Sequence, residues 1–418
     1  MTSFELAWRT AKRFRARAVL AVAGVAVIGA LNFDMLLLSH GLLLSFADLI
    51  NNTGYDIRIV GGAGIPLARL PVDGAGALVE QIRRLPEVAD AALMRTEPAV
   101  TAQPKGPQAG LELIGTSDLN GEGLWKLASG TGLAAHAVAR PFQGRDGGAE
   151  SPALQSDPPV VISSALASRM MLAPGSTLRL RVRIAGEMSV LPSMTFRVAG
   201  IANFPFEATG AYMVATTVEA FRLAHGGVVR DQADMVFASS APATGTDAAV
   251  GAISKLRPDL RVFSNEQVIA NFNRNSFAYF RQMSIVLSST TAAFSFLLVA
   301  TLLTVSVNQR LGEVAALRAL GIARRRIAAT LLWEAALLVG IGGVLALPAG
   351  QLLAVVLDRI LRRMPGLPEG LHFFVFDPQA LALHASLLAA TAVVAAIYPV
   401  WLVMTLPIAQ TLRREVVS

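Results

Sequence analysis

Four long apolar runs, residues 18–46, 283–307, 327–357 and 380–404, punctuate the chain and are separated by stretches of mixed character. Each exceeds the ~20 residues a helix needs to cross a ~30 Å hydrocarbon core. Between the first two runs, residues 48–281 alternate short polar and apolar blocks with turn prolines, and are long enough to bury a core of their own. The expected architecture is therefore an integral membrane protein with four transmembrane α-helices and a large α+β domain between the first and second spans. By residue this gives a surface helix at 1–17, spans at 18–46, 282–307, 327–357 and 380–405, the domain at 47–281, a polar segment at 308–326, a loop at 358–379 and a tail at 406–418.

Within the domain, helix and strand signals alternate. Residues 74–85 read as a helix stopped by Pro86, and 88–100 as extended chain. The stretch PPVVISSALASRMMLAPGSTLRL predicts a strand at 160–162, a helix at 163–172 and a Pro174-Gly175 turn into a strand at 177–184. Further strands are expected at 196–201, 233–238 and 261–263, with helices at 218–224 and 248–256. This grammar implies an α+β module with two subdomains. Residues 129–158, rich in Gly, Ala, Pro and Ser, read as a mobile loop.

The first run is longer than a bilayer requires, reaching about 40 Å at 1.5 Å per residue. Its far end is expected to project into water, which places Asn32, Asp34, Ser39 and His40 at or beyond the outer leaflet. Asn32, Asp34 and Met35 are candidate substrate-facing positions; the competing reading is a solvated helix extension. Ahead of this run, Thr2 and Glu5 have capping-box spacing. Phe4, Ala7, Trp8, Ala11 and Phe14 recur on one helical face, with Arg9, Lys12, Arg13 and Arg17 on the rest. Such a helix suits a lipid surface, cations towards anionic headgroups; alternatively it is the cytoplasmic end of the first span.

Composition changes the picture in one respect. Only 16% of residues are charged against 53% apolar, below the roughly one quarter charged of soluble chains. The net charge of +7 raises nucleic-acid binding, but residues 48–281 are balanced and the excess flanks the spans. Arg9, Lys12, Arg13, Arg15 and Arg17 precede the first run, Arg310, Arg318, Arg324, Arg325 and Arg326 lie between the second and third, and Arg413 and Arg414 follow the fourth. No nucleic acid is therefore expected as a partner. Basic residues near span ends stay cytoplasmic, so both termini and the 308–326 segment are assigned inside and the domain outside. Arg359, Arg362 and Arg363 run against this rule, with Asp358, Glu369 and Asp377 close by. No cysteine occurs, which removes disulfides and thiolate sites. Basic residues before an apolar run also resemble a signal peptide, yet no small-x-small site closes the run before Asn32, so an uncleaved anchor is expected.

Catalytic patterns are absent from the sequence. No G-x-x-x-x-G-K-[ST] cradle for ATP phosphates occurs, and no G-x-S-x-G elbow. Gly61, Gly62 and Gly64 lack dinucleotide-loop spacing and read as a tight turn. His40, His136, His225, His372 and His384 are scattered, without ligand spacing. An enzyme acting alone is not expected, nor any catalytic, cofactor or metal residue on this chain.

The segment NQRLGEVAALRALGIARRRI, residues 308–327, supplies what composition does not. Residues 308–320 can form three helical turns, with Gly321 as a left-handed cap. Val314, Leu317, Leu320 and Ile322 form an apolar face suited to a groove on another protein. Alternatively, its arginines only enforce topology. The pattern resembles the cytoplasmic segment of the FtsX-like, MacB-like ABC transporter permease family: Glu313-Val314, then Leu317 to Gly321 as Leu-Arg-Ala-Leu-Gly, then Arg324 to Arg326. Glu334 and the glycines Gly340, Gly342, Gly343 and Gly350 follow, as in the family's third span. LPIAQTLRREV, with Pro407, Leu412, Arg413 and Glu415, resembles its closing motif, and the strand, helix and Pro-Gly turn at 158–180 resemble its MacB-like periplasmic core. Asn308, Gln309, Leu311 and Gly312 depart from the charged run usual after the second span.

The resemblance implies a permease in a bacterial inner membrane that works with a separate ABC ATPase, which binds ATP and Mg. Arg310, Glu313, Val314, Leu317, Arg318, Leu320 and Gly321 would couple to that ATPase. Glu334, Gly340, Gly343 and Pro348 would serve packing in the third span, with Glu334 paired to a nearby arginine. Further expected partners are a second permease copy or paralogue, membrane lipid, and a periplasmic adaptor with an outer-membrane channel. The mechanism implied is mechanotransmission, nucleotide-driven motion passed to the outer domain, for export or for lipoprotein release. The alternative is an FtsX-type regulator of a cell-wall hydrolase; a secondary transporter fits less well, because few charges lie within the spans.

Overall fold

The computed structural model describes residues 3–62, 70–103, 108–121, 123–137, 157–183, 191–227, 230–275, 278–309, 312, 321–364, 366–368 and 370–405. Two helices, α1 (Ser3–Arg13) and α2 (Arg15–Asn51), lead into β1 (Ile57–Gly61), β2 (Val72–Asp73), α3 (Ala75–Arg83), β3 (Val88–Thr101), β4 (Gly110–Thr116), β5 (Lys126–Gly130) and the single turn α4 (Ala134–Ala137). The chain continues through β6 (Pro159–Ser163), α5 (Ser164–Met170), β7 (Thr177–Val182), β8 (Met194–Asn203), β9 (Met213–Thr217) and α6 (Val218–Ala224). Then come β10 (Gln232–Ala233), β11 (Met235–Ser240), α7 (Thr246–Leu256), β12 (Leu260–Ser264) and α8 (Asn265–Asn275), and finally α9 (Ala278–Asn308), α10 (Arg324–Leu361) and α11 (Pro378–Thr405).

Among the described residues, four helices are long and apolar enough to cross a membrane: Arg15–Asn51, Arg281–Asn308, Arg324–Leu361 and Pro378–Trp401. The chain divides into a helical unit (Met1–Ser45, Asn275–Leu361, His372–Ser418) and a β-rich unit (Phe46–Arg274, Arg362–Leu371).

In the helical unit, α2, α9, α10 and α11 meet around Val25, Val299, Leu303, Ala335, Val339, Ala392, Ala395 and Ala396. Small residues allow that approach. A Cβ on Gly342 would lie 2.7 Å from Val25 of α2, and one on Gly343 would lie 2.6 Å from Leu388 of α11. Lipid tails give helices no hydrophobic reason to associate, so close backbone packing of this kind carries the contact. The expectation for Gly340 is corrected: it is exposed and faces open space, while Gly342 and Gly350 make the contacts with α2. Pro348 is exposed too, and α10 continues through it. At the start of the unit α1 packs against α10, with Phe4 edge-on to Trp333 at 5.4 Å. Thr2, of the expected capping box, lies outside the described residues.

The β-rich unit holds a ten-stranded sheet and a small β2–β10 pair. Strands β3, β4, β9, β6, β8 and β7 pair successively, and β7 pairs back to β3, so six strands close a ring. Within it, β7 alternates exposed and buried positions. Leu178, Leu180 and Val182 thus join Leu113, Ile162, Phe196 and Val214 in one core, with α5 and α6 against it. The other half, β12–β1–β11 with the start of β3, forms a second core with α3 and α7 around Ile57, Ile59, Leu78, Ile82, Val236 and Ile253.

Two strand-to-helix turns use the same local chemistry. The Ser163 and Thr217 side chains end β6 and β9 and accept the N–H of Leu166 and Ala220 at 3.3 and 3.2 Å, capping α5 and α6. The expected strand 233–238 is instead split at Asp234. That carboxylate turns aside to accept the N–H and hydroxyl of Thr96, each at 2.7 Å. The expected loop 129–158 begins as strand, since Ser129 and Gly130 pair with β8; residues 138–156 lie outside the described residues. Gly62 turns the chain after β1 at φ 72°, and Gly64 is outside the described residues.

Candidate functional site

Three polar groupings stand out against the apolar background. The first lies where α9 ends and α10 begins. Glu334, nearly three turns into α10 and only 3% exposed, receives Arg17 Nη2 of α2 at 3.3 Å and the Ser306 hydroxyl of α9 at 3.1 Å. Arg17 also donates through Nη1 to Gln309 Oε1 at 3.2 Å. Charge and hydroxyl together answer the desolvation of the carboxylate, and three helices are tied at one end. Val307, Ile327 and Leu331 pack beside them, with Ile322 and Val400. Sequence reasoning pointed to an arginine for Glu334 but not to Arg17, the last basic residue before the first apolar run, nor to Ser306 or Gln309.

This network flanks the segment singled out in the sequence. Arg310, Glu313, Val314, Leu317, Arg318 and Leu320 lie outside the described residues. Gly321 is described and has φ 84°, the left-handed conformation that glycine adopts without a Cβ clash.

The second group is on the same α2. Asn32 and Asp34 are buried, Asp34 with no exposed surface, and Met35 is half-buried. The solvated helix extension is therefore corrected at Asn32 and Asp34, whose neighbours Phe33, Leu36 and Leu37 pack with Ala354 of α10 and Ala380 of α11. Asn32 Oδ1 and both carboxylate oxygens of Asp34 have no hydrogen-bond partner among the described residues. Neither ring nitrogen of His384 on α11 has one either, and that ring lies 5.2 Å from Phe33.

The third network belongs to the β-rich unit, at the last turn of α2. Buried Arg58 of β1 donates to Asn265 Oδ1 at the start of α8, to Thr53 Oγ1 at 3.1 Å and to the Ile50 carbonyl at 3.5 Å. Asn265 Nδ2 donates in turn to the Ile50 and Tyr55 carbonyls, each at 3.3 Å. Phe46 and Phe272 add a ring contact at 4.3 Å between the same two helices. The guanidinium lies 5.8 Å over Phe237. Burial lowers its pKa to about 10 while Asp56 raises it, so it remains cationic at neutral pH. Burial also pushes the Asp56 carboxyl up, but the hydroxyls of Ser240 and Thr246 and the Ser240 N–H, at 2.5, 2.6 and 2.8 Å, bring it below its ordinary value. None of Arg58, Asn265 or Thr53 was singled out in the sequence.

Elsewhere in this unit a shallow cleft is lined by Arg95, Phe221, Arg222 and Asp231. Arg95 pairs with Glu97 and Arg222 with Asp231, both at 3.6 Å, which leaves little charge for a ligand. Among the described residues no group of three or more His, Asp and Glu is placed to hold a metal ion.

Two family models match the chain. One, described as the MacB-like periplasmic core domain, matches residues 18–256, and the other, the FtsX-like permease C-terminal region, matches residues 285–408. No curated protein matches. Among solved structures, the periplasmic region of MacB from Actinobacillus actinomycetemcomitans is similar at 12% identity and a TM-score of 0.38, over 54% of this chain and 96% of its own. The extracellular domain of the noncanonic ABC-type transporter YknZ from Gram-positive bacteria is similar at 11% identity and a TM-score of 0.32, over 50% and 99%.

Proposed function

Given that the chain belongs to the MacB-like and FtsX-like family of ABC transporter permeases, we propose that it is the membrane subunit through which a separate ATPase moves the MacB-like core domain. The basic residues at 9–17, 310–326 and 413–414 support a reading in which both termini and the 308–326 segment face the cytoplasm from a bacterial inner membrane, with the core domain on the far side. Force enters at 308–326, where Leu317 and Leu320 seat in a groove of the ATPase, whose own subunit binds ATP and Mg. Two permease copies, or a copy and a paralogue, work with two ATPases, and the core domain handles the cargo in export or in lipoprotein release.

One observation carries the reading. The 37-residue helix α2 is continuous between two polar clasps, Arg17 with Glu334 at one end and the Ile50 carbonyl with Arg58 and Asn265 at the other. At 1.5 Å per residue such a helix is about 55 Å long. Movement of α9 and α10 at their 308–326 connection pulls Arg17 through Glu334 and so reaches Ile50.

The test is a pull-down of the chain from native membranes, followed by Leu317→Asp and Leu320→Asp. A co-purifying ATPase is expected, with ATP hydrolysis that persists in the variants while transport is lost. Absence of any ATPase, or normal transport by both variants, would sink the proposal. A co-purifying adaptor selects export, and a paralogous permease selects lipoprotein release.

A further inference from the structure

Among its described residues, the segment joining α10 to α11 is held by hydrogen bonds at a neck and at a tip. At the neck, Asp358 in the last turn of α10 accepts the N–H of Phe373 at 2.8 Å and of Phe374 at 3.4 Å through Oδ1, and its Oδ2 lies 3.1 Å from His372 Nδ1. Ser45 of α2 accepts the His372 N–H at 2.7 Å. At Gly41 a Cβ would come 3.0 Å from the Phe373 carbonyl oxygen, so only glycine lets the returning chain lie this close to α2. Outgoing and returning chains are thereby stapled together.

The tip belongs to the β-rich unit. Thr209, between β8 and β9, donates its N–H to the Leu367 carbonyl at 2.9 Å and its hydroxyl to the Arg362 carbonyl at 3.0 Å. Ala208 and Pro368 form an antiparallel bridge. Strands β8 and β9 are members of the six-strand ring, whereas the Arg58 network holds β1, in the other half of the sheet. The two halves thus have different attachments.

We propose that residues 362–371 are a second mechanical input to the core domain, with Thr209 and Asp358 as its positioning residues: α10 drives the six-strand ring through this loop, and α2 drives the β1 half through Arg58. Helix α10 starts just after Gly321 and runs 38 residues without a break, about 57 Å at the α-helical rise. It therefore links the ATPase-facing segment directly to Arg362. A joint made of two backbone carbonyls, one N–H and one hydroxyl transmits displacement because both carbonyls sit in the same short segment. The inference rests on the force-transmission reading above.

The absence of cysteine makes introduced thiols unique, so label pairs can read each half separately. In the complex with its ATPase, spin labels at Gln282→Cys and Glu219→Cys report on the ring half, and labels at Gln282→Cys and Lys255→Cys report on the β1 half. The readout is the change in label separation when a non-hydrolysable ATP analogue binds. A short Gly-Ser spacer inserted between Leu361 and Arg362, flexible by composition, is expected to abolish the change at Glu219 and to leave that at Lys255. Thr209→Val is expected to reduce the change at Glu219, with Thr209→Ser restoring it, since serine keeps the donor. These point substitutions carry the test if the spacer variant fails to assemble. An unaltered Glu219 change in the spacer variant, or in Thr209→Val, overturns the second input while leaving the force-transmission reading intact. No change at either position in the unmodified complex overturns that reading itself.

Discussion

Glu334 and Asp34 are two carboxylates buried in the same helical unit, and they are treated in opposite ways. Glu334 is met by an arginine and a serine from two other helices, while Asp34 has no partner among the described residues. A buried carboxylate without a partner is costly in a membrane interior. The difference teaches that the chain closes its 308–326 end by itself and leaves polar capacity unfilled farther along α2. The Arg58 network repeats the closed arrangement in the β-rich unit. Closed sites hold the ends of the long helix, and the open one lies between them.

The largest expected effect breaks the closed site. Glu334→Leu leaves the half-buried Arg17 without its carboxylate; loss of one member of a fully buried pair costs about 3–5 kcal/mol, and the 20% exposure of Arg17 makes that range the upper bound here. Unfolding of the full chain in detergent with increasing SDS should shift by that order. The double variant Arg17→Met with Glu334→Leu should recover most of it, because replacing both ions with apolar groups removes the uncompensated charge. A double variant as unstable as the single one would mean that Arg17 and Glu334 do not act as a pair.

Asp34→Leu should move stability the other way. Removing an unsatisfied buried polar group is expected to stabilise the isolated chain by about 1–3 kcal/mol in the same SDS titration. Combined with loss of transport, this outcome assigns Asp34 a partner in the working complex. Destabilisation would show that Asp34 is already satisfied and would erase its contrast with Glu334.

How much of this was legible in the sequence follows the range of the interactions. The four spans could be read because apolar length is local, and α6 was expected at its observed bounds, with a cap that is itself local: Thr217 accepts an N–H three residues on. Strand β1 was missed because all five of its residues are buried, so IRIVG shows no alternation. Arg58 within it looks like a solvent-facing charge, and its partner Asn265 lies 207 positions away. Glu334 announced its need for a cation, yet nothing in spacing names Arg17, which is 317 positions distant. Asn32 and Asp34 were placed in water by counting helix length, and the packing of α10 and α11 overrules that count. The family resemblance reached the 308–326 segment, and no resemblance encodes the hydrogen bonds of Thr209.

The smallest effect tests the closed arrangement in the β-rich unit. Thr246→Val keeps the shape of the side chain and removes the hydroxyl that Asp56 accepts at 2.6 Å. A hydrogen bond to a charged acceptor contributes roughly 1.5–3 kcal/mol, and the loss should fall near the lower end because the Ser240 donors remain. Since these donors hold the folded Asp56 below its ordinary value, their contribution is full above the unfolded carboxyl pKa of about 3.9 and fades as pH falls through the folded one. Hydrogen exchange at β1 and α7 amides of the full chain, followed from neutral to acid pH, should show variant and wild type diverging at neutral pH and converging in acid. A gap that stays constant with pH would mean that Thr246 acts through packing alone, and Asp56 would then no longer stand with Glu334 as a carboxylate held by its own chain.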